Sequence, residues 1–222
     1  MRSRYGLFPR SDFGGVLGEG ATLRAVLKRA FDVAVTLSIA PFALLICGVM
    51  ALVLAFDLPG NPFFAQERVG LHGRRFTMYK LRTMRHARPG QQPERTVDDW
   101  QTYVFTPNGE RDPRITRWGG FARSTSIDEL PNLFNVLLGE MSLVGPRPEL
   151  PEIVEQYPAE YHERHKVRPG IAGLAQVHGR SDLTYAEIAS YDLQYIREQS
   201  FLLDLKILWQ TVAIVFRGSG AR

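Results

Sequence analysis

The stretch "VAVTLSIAPFALLICGVMALVLAF", residues 33–56, decides the architecture of this chain of 222 residues. It runs for 24 residues without a charge, and roughly 20 apolar residues are enough to cross the hydrocarbon core of a bilayer. A core helix of a water-soluble protein usually keeps a polar face over such a length. The sequence therefore predicts a membrane-inserted helix within residues 24–57.

Both flanks of the apolar segment are basic. Residues 1–29 carry six Lys and Arg against two acids, and residues 58–90 carry seven against Glu67 alone. A spanning helix concentrates its positive charge on the cytoplasmic side, so two basic flanks favour a re-entrant helix that enters one leaflet and returns. Pro41 would interrupt the hydrogen-bond ladder and bend the helix at its break. A straight span is the alternative.

The composition indicates which classes of partner the chain could bind. A net charge of +4 suits anionic partners such as nucleic acid, anionic lipid or phosphorylated metabolites. A nucleic-acid binder would not need the apolar segment, and the chain carries no base-reading motif, so no nucleic acid is expected. The single cysteine, Cys47, rules out an internal disulfide and offers no metal-ligand spacing. No secretory signal is expected, because no small-residue cleavage pattern closely follows the apolar segment.

A β-hairpin and an inserted loop follow the apolar segment. Residues 61–85, "NPFFAQERVGLHGRRFTMYKLRTMR", contain strand-forming runs around the turn residues "LHG". At a period of two, Arg74, Lys80 and Arg82 share one face, which predicts a basic wall beside the membrane. Residues 86–113 are polar and rich in Gly and Pro, which predicts an inserted loop with one short element near residues 100–105. The loop's role is left open between sugar contact and partner contact.

Two adjacent acids, Asp128 and Glu129, stand in the run "ARSTSIDELPNLFNV". A helix is predicted over residues 116–124. Ser126, with Glu129 three residues later, has the spacing of a capping box that opens the next helix. Acids also favour a first helical turn because of the helix dipole. A purely structural role is therefore the simpler interpretation of the pair.

Basic residues in constrained loops favour a chemical role for the acids instead. Arg123 lies just before them, Arg147 stands between Pro146 and Pro148, and Arg168 precedes a Pro-Gly pair. The prolines reduce the entropy cost of presenting Arg147. A guanidinium fork matches two phosphate oxygens, carboxylates suit a divalent metal, and a carboxylate can attack a phosphoryl group. These residues therefore permit phosphoryl transfer at a membrane surface.

Six motifs together resemble the bacterial sugar transferases, the small monotopic phosphoglycosyl transferases that begin glycoconjugate assembly on a polyprenyl phosphate. They occur in the family's order and span about residues 24–217, with no large N-terminal membrane domain before them, as in the minimal catalytic form. The motifs are "KRAFD" at 28–32, "QERVG" at 66–70, "YKLRTM" at 79–84, "ARSTSIDELPNLFNVLLGEMSLVGPRPELP" at 122–151, "RHKVRPGIAGLAQVHGR" at 164–180 and "SFLLDLKIL" at 200–208.

The resemblance implies a reaction and a site. Such enzymes move sugar-1-phosphate from a UDP-sugar to undecaprenyl phosphate, giving undecaprenyl-diphosphate-sugar and UMP. Asp128 matches the nucleophile of a ping-pong sequence with a covalent phosphosugar intermediate, and Glu129 would help it hold Mg²⁺. A helix N-terminus under Asp128 would help to stabilise the phosphoryl charge. The remaining candidates for phosphate and substrate binding are Lys80, Arg82, Arg123, Arg147, Arg168 and Gln176.

Pattern and resemblance together predict an α+β fold, mainly helical, with a small β-hairpin. Residues 1–23 form an N-terminal extension, residues 24–57 a re-entrant helix with its break at Pro41, and residues 58–222 a catalytic domain on the cytoplasmic face of the bacterial inner membrane. The family often has Ser before the break proline, and this chain has Ala40.

The C-terminal segment is apolar along most of its length. Residues 200–216 predict an interfacial amphipathic helix, with a short spanning helix or a core helix as alternatives. Membrane lipid is an expected partner, and a homo-oligomer is allowed. The alternative function is a non-catalytic, membrane-anchored basic module that binds anionic lipid or assembly partners, although it leaves the spacing of the acids and Arg147 without a reason.

Overall fold

A computed structural model describes residues 19–86, 96–104, 112–179 and 182–216. Within these ranges the chain is mainly helical with two small sheets, which confirms the predicted α+β class. The α-helices and strands are α1 (Glu19–Asp57), β1 (Phe63–Val69), β2 (Arg75–Leu81), α2 (Arg117–Ser124), α3 (Asn132–Leu138), β3 (Ser142–Val144), α4 (Pro151–Val154), β4 (Gly170–Ala172), α5 (Leu174–His178), α6 (Tyr185–Glu198) and α7 (Phe201–Phe216). Short 3-10 turns lie at Leu71–Gly73, Ile127–Glu129 and Ala159–Lys166.

Helix α1 is 39 residues long and continues through Pro41. Pro41 has no N–H for the carbonyl of Leu37. The Ser38 hydroxyl, one turn earlier, donates to the Ala34 carbonyl (2.8 Å) and not to the carbonyl of Leu37. Its middle part exposes apolar side chains, Phe42 at 71% among them. Within the described residues it is the one helix long and apolar enough to cross a membrane, judged by length and composition. The re-entrant path stays a prediction.

Both ends of α1 pack against the same domain. Near the start, Lys28 lies 2.6 Å from Asp204 of α7, and Ser142 of β3 donates to Asp32 (2.7 Å). Near the end, buried Leu54 belongs to an apolar cluster with Leu81 and neighbours on α2. The helix therefore lies along the domain and contacts it at two separated points.

The predicted β-hairpin is confirmed. β1 and β2 pair antiparallel, and the Leu71–Gly73 turn joins them. Phe76 and Met78 on β2 are buried in the core, and Lys80 on the same face points inward. Of the predicted basic wall, Lys80 is not at the surface, because it binds Glu129 beside the buried Phe76 and Met78, whereas Arg74 is exposed. The position of the wall relative to the membrane stays a prediction.

A second sheet joins distant segments. β3 and β4, three residues each, pair in parallel with Ser142 opposite Gly170 and Val144 opposite Ala172. The main core packs around this pair, between α3, α6 and α7. A second core lies under α4 and the 3-10 segment Ala159–Lys166 and is rich in tyrosine.

The inserted loop is only partly described. Residues 87–95 and 105–111 of the predicted 86–113 excursion lie outside the described residues. Residues 96–104 pack onto the second core, where the Trp100 ring meets those of Tyr157, Tyr161 and Tyr185 edge-on at centroid distances of 5.6, 5.6 and 4.9 Å. The middle of the excursion is therefore attached to the domain.

Helix α7 has two apolar sides. Ile207 is fully buried in the main core, and Asp204 is buried in the contact with Lys28. Leu202 and Trp209 are largely exposed. This arrangement suits a helix between the domain and a membrane surface, and the interfacial position stays a prediction.

Candidate active site

The acidic pair, Asp128 and Glu129, lies on the 3-10 turn Ile127–Glu129. Ser126 before it adopts a left-handed conformation (φ 57°), and its side chain makes no capping hydrogen bond. The predicted capping box is wrong, because the Glu129 side chain turns toward two cations instead. The helix expected under Asp128 is also displaced, since α3 begins only at Asn132.

Glu129 is held by two basic side chains from distant segments. Its Oε1 lies 3.0 Å from Lys80 Nζ and 2.6 Å from Arg147 Nη2, and its Oε2 accepts from Arg147 Nη1 at 3.3 Å. The Arg147 side chain is 39% exposed, whereas that of Glu129 is 15% exposed. The guanidinium therefore presents an accessible edge while it neutralises the acid.

The two acids have opposite electrostatics. Burial opposes the ionisation of Glu129, but the Arg147 guanidinium and the Lys80 ammonium outweigh it and hold the pKa of Glu129 below its usual range. Burial, assisted by the neighbouring Glu129 charge, raises the pKa of Asp128 to about 6. Burial and the Arg147 charge lower the pKa of Lys80.

Asp128 is buried, with 7% of its surface exposed. Among the described residues, burial and nearby charges act on its carboxylate, and no hydrogen bond does. Lys80, Arg123 and Arg147 act on it through space and lower its pKa, against the effect of burial. A carboxylate that is desolvated, near cations and not bonded to them keeps its lone pairs for a ligand.

Arg123 lies in the last turn of α2. Thr116 caps this helix by accepting from the Gly119 amide (3.0 Å). Gly119 sits so close to the chain after β2 that an added Cβ would lie 2.1 Å from the Thr83 carbonyl oxygen. Arg123 Nη1 lies 3.6 Å from Met84 Sδ. Close packing on the hairpin therefore brings the guanidinium into range of Asp128.

The loop that carries Arg147, residues 145–149, is fixed by its backbone. The carbonyls of residues 146–148 accept, in order, from the Gly170 amide (2.9 Å), the Arg164 guanidinium (2.9 Å) and the Arg68 guanidinium (3.1 Å). A Cβ added to Gly170 would lie 2.0 Å from the amide nitrogen of Gly145. The sequence "GPRP" therefore presents Arg147 from a rigid support, as its prolines predict.

Three other candidates are not brought to the acidic pair. Arg82 donates to the carbonyls of Leu58 and Pro59 (2.6 and 2.8 Å), where it closes the end of α1. Arg168 donates to the Gly139 carbonyl at the end of α3 (2.8 Å). Gln176 donates to a main-chain carbonyl on β4 (3.1 Å). Their roles in substrate binding stay predictions.

Two residues that the sequence analysis did not assign to the site support it. Asn135, fully buried on α3, donates to the Thr77 carbonyl (2.7 Å) and accepts from the Tyr79 amide (3.4 Å), which fixes β2 and hence Lys80 beside the acidic pair. A lone Asn within the apolar run "LFNVLL" is the signal that could have found it, because a buried amide must be bonded. Arg164, the first residue of the motif "RHKVRPGIAGLAQVHGR", is buried and donates to the main-chain carbonyl of Arg147 (2.9 Å).

The residues present fit Mg²⁺ only together with a ligand. The described part of the chain has no cluster of three or more His, Cys, Asp or Glu that could hold a metal ion. Mg²⁺ usually takes one or two carboxylates, keeps several waters and completes its shell with substrate phosphates. Asp128 and Glu129 satisfy that requirement, although Glu129 must share its oxygens with Arg147 and Lys80.

The structure thus combines a helix that is long and apolar enough to cross a membrane with a buried acidic pair that Lys80, Arg123 and Arg147 surround. The family model of the bacterial sugar transferases matches residues 23–218, and the chain belongs to that family. The resemblance seen in the motifs is confirmed.

Three relatives show how the family varies in length. The galactosyl transferase CpsE of Streptococcus agalactiae is 41% identical over 201 residues, which cover 89% of this chain and 44% of CpsE. The undecaprenyl-phosphate galactose phosphotransferase of Salmonella typhimurium is 36% identical over 212 residues, 88% of this chain and 41% of the relative. The exopolysaccharide production protein PSS of Rhizobium leguminosarum is 39% identical over 212 residues, 88% of this chain and 98% of PSS. The chain thus spans less than half of the first two and nearly all of the third.

Proposed function

We propose that this protein transfers sugar-1-phosphate from a UDP-sugar to undecaprenyl phosphate, on the cytoplasmic face of the bacterial inner membrane. The observation that carries the proposal is the contrast within the acidic pair: Asp128 is desolvated and unbonded among the described residues, beside a Glu129 bound by Lys80 and Arg147. The Salmonella relative is named an undecaprenyl-phosphate galactose phosphotransferase, which supports the proposed acceptor.

In the first step the Asp128 carboxylate attacks the phosphorus that carries the sugar. A bond forms between Oδ of Asp128 and this phosphorus while the bond to the bridging oxygen breaks, and UMP leaves with the electron pair. The product on the enzyme is an acyl phosphate that bears the sugar. Arg147 and Arg123 supply positive charge where the phosphoryl oxygens gain negative charge.

In the second step an oxygen of undecaprenyl phosphate attacks the same phosphorus. The bond to Asp128 breaks, the carboxylate is restored, and undecaprenyl-diphosphate-sugar leaves. No net proton is taken up when both phosphates react as anions. The exposed edge of Arg147 and the apolar α1 suit an acceptor with an anionic head and a lipid chain.

Mg²⁺ is part of the proposal. When bound with the diphosphate, the ion would be held by Asp128 and Glu129 and would neutralise phosphate charge. In that state the Arg147 guanidinium would exchange its bond to Glu129 for one to a phosphate oxygen. It can do so because the Arg147 side chain is more exposed than that of Glu129. Lys80, enclosed and bonded to the same acid, would stay in place.

The test is the intact mass of the purified protein after incubation with a panel of UDP-sugars and Mg²⁺, without lipid phosphate. The wild type is expected to gain the mass of one sugar phosphate, and the sugar that gives the adduct is the donor. Asp128→Asn is expected to gain nothing. Asp99→Asn, which changes an exposed aspartate of residues 96–104, is the matched control and should label like the wild type.

The outcomes distinguish the proposed enzyme class, a sugar-phosphate transferase, from the proposed covalent mechanism. Turnover with undecaprenyl phosphate but no adduct with any donor would contradict the covalent intermediate and keep the transferase. Neither adduct nor turnover across the panel would contradict the proposed donor and favour the lipid-binding anchor instead. An adduct that persists in Asp128→Asn would assign the nucleophile to another residue.

A further inference from the structure

Beneath the Arg147 loop lies a buried arginine with several partners. Arg164 is 4% exposed. Its Nη2 lies 2.6 Å from the Asp192 carboxylate of α6 and donates to the main-chain carbonyl of Arg147 (2.9 Å). Its Nη1 donates to the hydroxyls of Tyr157 (2.5 Å) and Tyr185 (3.0 Å). One guanidinium thus joins α6, the second core and the Arg147 loop.

Burying the Arg164 guanidinium costs free energy unless all its donors have partners. A buried charge needs both an opposite charge and hydrogen bonds for its donors. Asp192 supplies an opposite charge, the two tyrosine hydroxyls accept from Nη1, and the Tyr185 hydroxyl donates in turn to Glu149 of the loop (3.2 Å). The cluster therefore holds the loop at two points, the Arg147 carbonyl through Arg164 and the Glu149 carboxylate through Tyr185.

The geometry of the loop explains what that bond does. Pro148 confines the preceding residue to extended backbone, and the Arg164 bond fixes the orientation of the peptide between Arg147 and Pro148. Together they fix the direction in which the Arg147 side chain leaves the backbone. That direction brings its guanidinium to Glu129, 2.6 Å away.

The cluster is covered on its far side. The Trp100 ring packs against Tyr157 and Tyr185 at centroid distances of 5.6 and 4.9 Å. The Tyr185 amide donates to the Tyr103 carbonyl (2.9 Å). Residues 96–104 therefore help to keep water away from the Arg164 bonds, which strengthens them.

We infer that Arg164 is a positioning residue: it acts through the Arg147 backbone to hold the Arg147 guanidinium at the phosphate site. The catalytic consequence rests on the proposed function, whereas the structural one does not. Arg164 itself touches neither the acidic pair nor the reacting atoms, so its effect must pass through Arg147.

The first test is a double-mutant cycle on sugar-phosphate transfer. Arg164→Lys keeps the charge but loses the planar fork that reaches Asp192, the tyrosines and the loop at once. It should lower kcat/KM by about 10- to 100-fold, as expected for a misplaced binding group. In an Arg147→Ala background the same change should have almost no further effect. Additive losses would overturn the inference.

The second test does not depend on turnover. The Gly170 amide donates to the Pro146 carbonyl and the Val69 amide to the Glu149 carbonyl, so their hydrogen exchange reports on the loop. Arg164→Lys should speed both exchanges about tenfold or more, while amides of α7 keep their rates. Equal acceleration throughout the domain, or none, would overturn the inference.

Two further variants keep the tests decisive. Tyr157→Phe removes a hydroxyl that accepts from Arg164 and should give the same local pattern in weaker form, even if Arg164→Lys does not fold. Arg75→Lys alters an exposed arginine that pairs with Glu67 and Glu155, and it should change neither readout. If wild type turns over no donor, the proposed function fails, and the exchange pattern still decides the role of Arg164.

Discussion

At the scale of single residues, the acidic pair shows how environment separates two similar side chains. Asp128 and Glu129 are neighbours in sequence, yet burial raises the pKa of Asp128 to about 6 while Arg147 and Lys80 keep Glu129 ionised. Groups whose pKa values are pushed apart take different roles in a reaction. Glu129 organises the cations, and Asp128 is the group left to react.

Replacing Asp128 should stabilise the protein while it removes activity. Because its folded pKa lies above its unfolded value, the native state binds the proton more tightly, so the Asp128 contribution to stability falls as pH rises from about 4 to about 6. Asp128→Asn removes this penalty and should raise the free energy of unfolding at pH 7 by up to about 3 kcal/mol. Thermal unfolding in detergent, with transfer assays alongside, measures both effects.

Glu129→Gln is the matched contrast. It leaves Lys80 and Arg147 without their shared counter-charge, and it should lower stability by about 2–4 kcal/mol, toward the lower end because Arg147 is partly exposed. A melting temperature that falls in both variants would contradict the assignment of a stability cost to Asp128 alone.

The same pKa predicts the acid limb of the activity. Attack requires the ionised Asp128, so the rate of adduct formation should fall about tenfold per pH unit below pH 6 and level off above about pH 7. Glu129 stays ionised throughout this range. Single-turnover mass measurements between pH 5 and 8 test the limb. A rate that is flat down to pH 5 would show that Asp128 titrates near its ordinary value.

At the scale of elements, local patterns predicted local structure. The strand residues around "LHG" predicted the hairpin, and the helix predicted over residues 116–124 is α2, because the hydrogen bonds of both elements join residues close in sequence. The β3–β4 pair was not predicted. It joins three-residue strands whose pairing depends on the close approach of Gly145 and Gly170, which no local pattern encodes.

The glycine contact between β3 and β4 can be tested directly. Gly170→Ala would place a Cβ 2.0 Å from the Gly145 amide nitrogen, so the strands must separate and the Arg147 loop must shift. We expect a loss of about 3 kcal/mol or more of stability and impaired transfer. The control is Gly48→Ala in α1, where nothing lies within 4 Å of the added Cβ. Denaturation of the two variants in detergent should give opposite signs, because alanine favours a helix by about 1 kcal/mol over glycine.

At the scale of the whole molecule, the sequence predicted the parts of the site but not their arrangement. The acids, Lys80, Arg123 and Arg147 were chosen through the family resemblance, and the fold brings them together. Arg82, which the sequence supported less strongly, lies at the end of α1 instead. The difference depends on tertiary packing, since period-two alternation places Lys80 and Arg82 on the same face.

The path of α1 through the membrane is the prediction that involves the whole chain. In a straight helix, Lys28 and Leu54 lie about 39 Å apart, more than the thickness of the hydrocarbon core. Both contact the same domain, Lys28 at Asp204 and Leu54 beside Leu81. A domain on one side of a bilayer cannot meet both ends of a helix that crosses it, so these contacts and a straight span exclude each other. The re-entrant path stays the prediction to be tested.

Single-cysteine labelling decides the path. In a Cys47→Ser background, Arg24→Cys and Asn61→Cys place one exposed thiol at either side of the apolar segment. For a re-entrant helix, a membrane-impermeant maleimide should label both in inverted inner-membrane vesicles and neither in right-side-out vesicles. Labelling of the two sites from opposite faces would establish a span. In that case the contacts of Lys28 and Leu54 with one domain could not both exist in the membrane, and the domain would have to release one end of α1 on insertion.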